Sequence, residues 1–150
     1  SNRYCSYSAV RLGVLMALIA GAGNPTGGSN PAGTGTALNY LGEHAYAYSG
    51  SIGVTNTETT LLDFNTGSNY IVGNFEAING FNGSTNDDYL WLLSMDDQAV
   101  MALNLTSSKD LDSNPLAIII PPFTRVIVTC QNVTDTSSHD MGACITGRVY

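Results

Sequence analysis

Charge is the scarcest property of this chain: of 150 residues only 11% are Asp, Glu, Lys or Arg, against about 25% in ordinary soluble domains. Basic residues are rarer still. There are five (Arg3, Arg11, Lys109, Arg125 and Arg148), spread along the length and outweighed by 12 acidic residues, for a net charge of −7. Gripping a phosphate backbone takes clustered Lys and Arg, so nucleic acid is not expected as a partner. Cysteine is limited to Cys5, Cys130 and Cys144, with no CxxC spacing and no accompanying His cluster. That argues against a zinc site, and the odd count excludes a fully paired disulfide framework within one chain. No apolar run reaches the ~20 residues of a membrane-spanning helix, and a membrane is not an expected partner.

Catalytic equipment is equally thin. Imidazole is available only from His44 and His139, and a nucleophilic triad needs a base beside an activated Ser or Cys. His139-Asp140 lies in a Ser/Thr-rich stretch without a GxSxG motif, where a solvent-exposed loop histidine is the expectation. Paired carboxylates occur at Asp87-Asp88, Asp96-Asp97 and Asp110-x-Asp112, all in turn-like contexts that favour Asp for local backbone bonding. Asp110-Leu111-Asp112-Ser113-Asn114 opens like a calcium loop. Pro115 stands where that loop needs glycine, however, and Pro121 where it needs the bidentate glutamate. The expectation is a non-enzymatic protein with no catalytic residues, no metal and no cofactor.

What the chain has in quantity is Gly, Ser, Thr and Asn, with a hydrophobic fraction of 43%. The N-terminus reads SNRYCSYSAVRLGVLMALIAGAGNPTGG. Arginines ahead of the apolar run Leu12–Ala22, with small residues at its end, have the layout of a secretory signal. The expectation here is a retained arm, residues 1–23, in which Val14, Leu15, Met16, Leu18 and Ile19 pack into a neighbouring copy. The alternatives are folding back on the arm's own domain or contact with a membrane surface. Burying four or five such side chains would contribute about 8–12 kcal/mol before ordering entropy is subtracted. Residues 24–39, rich in Gly, Pro, Ser, Asn and Thr, read as a linker with reach and little structure of its own.

From residue 40 to 150, short runs rich in Val, Ile, Thr, Tyr and Phe alternate with turn residues. The candidate strands are His44–Ser49, Gly50–Thr57, Thr59–Phe64, Tyr70–Ile78, Tyr89–Ser94, Ala99–Leu105, Leu116–Ile120, Phe123–Gln131 and Ala143–Tyr150. Eight or nine short strands at this spacing predict a sandwich, jelly roll or small barrel, and no sustained 3.6-residue period competes. Met95-Asp96-Asp97-Gln98 reads as a tight turn. The nearly continuous apolar stretch Tyr89–Met95 predicts a strand buried on both faces, with Trp91 in the core. Pro121-Pro122 should end the Ile118–Ile120 run at an edge or bend.

If Phe123–Gln131 pairs with Ala143–Tyr150, Cys130 faces Cys144. The pair is then either a disulfide worth ~3 kcal/mol or two reduced thiols acting as small hydrophobes. Three N-x-S/T sequons place candidate glycans at Asn82, Asn104 and Asn132, with Asn82 and Asn132 in expected loops.

The stretch Ile118-Ile119-Ile120-Pro121-Pro122-Phe123-Thr124-Arg125-Val126, the ending Ile145-Thr146-Gly147-Arg148-Val149-Tyr150 and the segment Thr60–Ser68 resemble short jelly-roll structural proteins of phage-type particles. The resemblance covers the last two thirds of the chain. It implies a particle-forming or virion-surface role, with homotypic or capsid partners and no catalytic residues. The expectation is therefore all-β: a jelly-roll-like antiparallel β-sandwich with an extended apolar N-terminal arm, self-assembling in a virion or extracellular assembly. Its partners would be copies of itself, other particle proteins or surface glycans. A pilus-like filament joined by insertion of the N-terminal arm as a strand or helix, and a lectin-like module using Tyr46, Tyr48, Tyr70, Tyr89 or Trp91, are the alternatives.

Overall fold

A computed structural model describes residues 35–81, 86–106 and 115–150; the arm residues Val14, Leu15, Met16, Leu18 and Ile19, the sequon residue Asn82 and the Asp110–Asp112 stretch lie outside them. Ten strands make up the regular structure of the described residues: β1 (Asn39–Leu41), β2 (His44–Tyr48), β3 (Ile52–Val54), β4 (Thr59–Asn65), β5 (Ile71–Asn79), β6 (Asp88–Met95), β7 (Gln98–Thr106), β8 (Leu116–Ile120), β9 (Arg125–Asn132) and β10 (His139–Val149). They form two antiparallel sheets. One runs β1-β2-β10-β5-β8, with β3 also on β10, and the other β4-β9-β6-β7.

The eight principal strands follow one rule. Counting β2, β4, β5, β6, β7, β8, β9 and β10 in chain order, the first pairs with the eighth, the second with the seventh, the third with the sixth and the fourth with the fifth. The chain is thus one long hairpin folded over on itself, its tip the two-residue β6–β7 turn. Asp96 (φ 51°) and Asp97 (φ 67°) are both left-handed there, the conformation whose twist suits adjoining strands. Carboxamide and carboxylate side chains tolerate that region better than branched ones.

Alternation drives the layering. Ala45, Ala47, Ile71, Phe75, Ala77, Ile118, Ile120, Ala143 and Ile145 point inward from the first sheet. Leu62, Phe64, Tyr89, Trp91, Leu93, Val126, Val128 and Cys130 meet them from the second. Trp91 spans the gap, its Nε1–H donating to the Gly142 carbonyl of the opposite sheet at 3.0 Å; the buried indole N–H thereby keeps a partner. The loops are tied as well. Thr66 Oγ1 donates to Pro121 O (2.8 Å) and accepts from Thr124 N–H (2.9 Å), joining the β4–β5 and β8–β9 crossings. β8 ends at Ile120, just before Pro121, on a sheet edge.

Three expectations need correction. β6 is not buried on both faces: Tyr89, Trp91 and Leu93 are inside, whereas Leu90 and Leu92 are half-buried on the outer face of the second sheet. β9 and β10 do not pair, because each takes a place in a different sheet. Finally, β1 begins within the expected linker, and the Thr36 carbonyl already accepts the Asp63 N–H at 3.1 Å.

Candidate functional site

The outer face of the first sheet carries a band of apolar side chains at one end. Strand alternation turns Ile118 and Ile120 inward, so Ile119 between them must face out, and it is 60% exposed. Its cross-strand partner is Val72, whose partner on the other side is Arg148, followed by His44 and Leu41. Two residues before Val72, Tyr70 exchanges backbone hydrogen bonds with Tyr150 (3.2 and 2.9 Å). This sets two exposed aromatic rings beside the row. The Arg148 guanidinium lies 5.8 Å from the Tyr150 ring centroid and also meets Glu43 at 2.5 Å. The band is therefore aliphatic and aromatic, with one cation already engaged. Exposed apolar side chains grouped in this way, Ile119 beside Val72 and Tyr70 beside Tyr150, are candidates for an interaction surface.

A second cluster closes the β9–β10 crossing. Asn132, only 1% exposed, has two Nδ2 hydrogens to share among Asp87 (3.0 Å), the Ser137 carbonyl (3.1 Å) and the Tyr89 hydroxyl (3.2 Å), all within hydrogen-bond distance. Its Oδ1 accepts the Thr134 and Asp135 amides at 2.8 and 3.2 Å. Burial, reinforced by the neighbouring Asp87 charge, pushes the Tyr89 hydroxyl up to about 12. The Ser137 amide holds the Asp135 carboxyl below its ordinary range. His139 Nε2 approaches Asp87 at 3.8 Å and its ring meets Tyr89 edge-on. The loop histidine of the expectation is in fact the half-buried first residue of β10. The network organises a loop: each carboxylate accepts bonds from neighbours that also fix the backbone.

The remaining sequence candidates scatter. Cys130 is buried in the core between the sheets, and Cys144 is half-exposed on the outer face of the first; both are free thiols. Their expected facing is overturned because 130 lies opposite Thr59 and Trp91, and 144 opposite Tyr48 and Glu76. Burial pushes the Cys130 thiol up to about 12, while Cys144 Sγ sits 3.6 Å from Glu76. In a Cys5→Ser chain, a thiol reagent should therefore titrate one thiol quickly. It should reach Cys130 at a rate on the order of a hundredfold slower, or only in denaturant.

Of the sequons, Asn104 is exposed on β7. Asn132 does not occupy an open loop, since it ends β9 with its amide nitrogen buried in bonds. A glycan there is incompatible with the fold. Tyr89 and Trp91 are core residues and offer no sugar platform, whereas Tyr46 and Tyr48 stack outward with centroids 5.4 Å apart. Among the described residues no group of three or more His, Cys, Asp and Glu side chains gathers to hold a metal. Of the band, only Tyr70 figured as a sequence candidate. Ile118-Ile119-Ile120 is uniformly apolar, so the sequence does not mark Ile119 as the outward one; the burial alternation does. Compared with protein-family models, with curated proteins and with solved structures, the chain matches none of them.

Proposed function

We propose that this chain is a non-enzymatic, self-assembling structural subunit of a virus-like particle: a jelly roll acting as a capsid, decoration or fibre protein. The mirror pairing of eight strands is what supports the jelly-roll reading, since two interleaved Greek keys shared between two sheets define that architecture. Jelly rolls also serve as lectins and enzymes, so the fold alone does not choose a function. The observation that carries the choice is the exposed band Val72, Ile119, Tyr70 and Tyr150. Packing side by side would bury it, with the contact gaining from apolar burial against the mutual repulsion of copies that each carry a net charge of −7.

The full-length chain is expected to sediment as large particles visible by electron microscopy. Ile119→Lys should shift it to small species while changing unfolding free energy by no more than ~0.5 kcal/mol, because the side chain is exposed. A native chain that stays monomeric at every concentration sinks the reading. Particles that persist in the variant show that the band is not the contact.

A further inference from the structure

Sheet edges are where one chain recruits another, and among the described residues three of the four borders are blunted, with the three-residue β3 on the same side of β10 as β2 and β1. β1 has three residues. β4 carries Asp63, clamped by Arg125 at 3.0 and 2.9 Å, and the Thr36 carbonyl occupies part of its free side. β8 has five residues and runs into Pro121-Pro122. The fourth edge, β7, is nine residues long and reads Gln-Ala-Val-Met-Ala-Leu-Asn-Leu-Thr, without a charge or a proline. Among the described residues it pairs with β6 alone. Among the described residues, Gln98–Leu105 make no backbone hydrogen bond outside that ladder. A bulge opposite Leu93/Ser94 disturbs the end near the turn, but Met101–Leu105 runs on regularly. Inside this edge the core is unsealed, with Met101, Leu103 and Leu116 only partly buried against it.

Resting on the assembly reading above, we infer that β7 accepts residues 12–20 of another copy as an added strand. The segment Leu-Gly-Val-Leu-Met-Ala-Leu-Ile-Ala is nine residues long, the length of β7, and equally free of charge and proline. Added strands gain affinity from main-chain bonds and specificity from alternate side chains. Leu12, Val14, Met16 and Leu18 would fall on one face, over Met101 and Leu103. Thr36 lies outside the β4 border, four strand spacings or roughly 19 Å from its own β7. Residues 21–35 can extend up to ~50 Å, ample to reach the β7 of a copy lying beside that border. Donor and acceptor borders are different patches, so a one-way contact is heterologous and propagates into rings or helical arrays, whereas reciprocal exchange closes a dimer.

Cross-linking tests this in the full chain, with Cys5→Ser and Cys144→Ser as background. One population carries Ala102→Cys on β7. The other carries cysteine in turn at Val14, Leu15 and Met16. Mixed, dissociated and reassembled under mild oxidation, they should give a dimer band at one arm position or more, with neither population dimerising alone. A monomer-mass cross-link in a chain bearing both cysteines, with none in the mixture, places the arm on its own domain and overturns the inference. Dimers from Ala102→Cys alone overturn it in favour of β7 pairing with β7. Particles without any arm cross-link defeat this inference and leave the assembly reading standing; absence of particles defeats that reading itself.

Discussion

Gly73→Ala is expected to leave the chain largely unfolded at 37 °C, losing about 4 kcal/mol or more of a domain stability that is ordinarily 5–15 kcal/mol. Gly73 faces Gly147 across the β5–β10 ladder. A methyl at 73 would overlap the Thr146 carbonyl oxygen and the Gly147 Cα, with the Thr146 carbonyl carbon at 2.7 Å. All three are backbone atoms of the facing strand, so no rotamer change relieves the clash. The ladder must open instead. At Gly147 the nearest obstacles to an added methyl are Ile71 Cγ2 and Val72 O at 2.9 Å. Gly73 Cα follows at 3.1 Å; these approaches are less severe than those at Gly73, so a shift of a few tenths of an ångström accommodates the methyl and Gly147→Ala should cost a more ordinary ~1–3 kcal/mol. Gly67→Ala meets nothing within 4 Å and serves as the near-neutral control. Urea unfolding of the three variants checks the order: Gly73→Ala far below Gly147→Ala, and Gly67→Ala unchanged or slightly stabilised.

The same glycine pair matters for the surface above it. Val72, which flanks Gly73, and Arg148, which flanks Gly147, face each other in the outward band. Close approach of β5 and β10 at the glycines therefore fixes how those outward neighbours sit. On the proposed assembly, a variant that opens the ladder should lose particles and stability together, whereas Ile119→Lys should lose particles alone. That contrast separates damage to the body from damage to the contact.

Strand positions were legible wherever a β-rich run met a strong turn. Asp96-Asp97 turned where expected because two short acidic side chains tolerate positive φ, and β8 stopped at Ile120 because Pro121 cannot extend a ladder. Partners were not legible. Strands adjacent in sequence usually pair, so β9 and β10 looked like a hairpin, yet the chain crosses between sheets after Asn132 and sends them to different layers. The same ambiguity misplaced Cys130 and Cys144. In β6, Leu90 and Leu92 looked like core because hydrophobicity alone cannot say which face of a strand lies outward. The band needed a pairing between Val72 and Ile119, 47 residues apart, which no local pattern encodes. The apolar arm was the plainest sequence feature of all, and its proposed acceptor emerged only once β7 was placed at a sheet border with β6 as its one partner among the described residues.

Asn132 shows how a tertiary contact can invert a local signal. Asn-Val-Thr in a Ser/Thr-rich stretch reads as an exposed sequon, but Asp87, 45 residues upstream, draws the amide into the sandwich. Asn132→Ala should cost about 3–5 kcal/mol. It strips partners from a buried carboxylate and from the Tyr89 hydroxyl while freeing the Thr134 and Asp135 amides, and unsatisfied buried groups carry their full desolvation penalty. Asn132→Asp is the sharper test because it keeps the shape and adds a carboxylate beside Asp87 and Asp135. Burial and like charge must raise the new group's pKa in the folded state, so the folded chain binds more protons than the unfolded one above pH ~4. Stability then falls as pH rises through that window, by up to ~1.4 kcal/mol per unit until the folded pKa is passed. The Asp variant should approach wild-type stability near pH 4 and be much weaker at pH 7, whereas the Ala variant's deficit at pH 4 should persist at pH 7. A parallel loss in both variants at the two pH values would mean that Asn132 merely fills space and that the Asp87 contact does not hold the crossing loop.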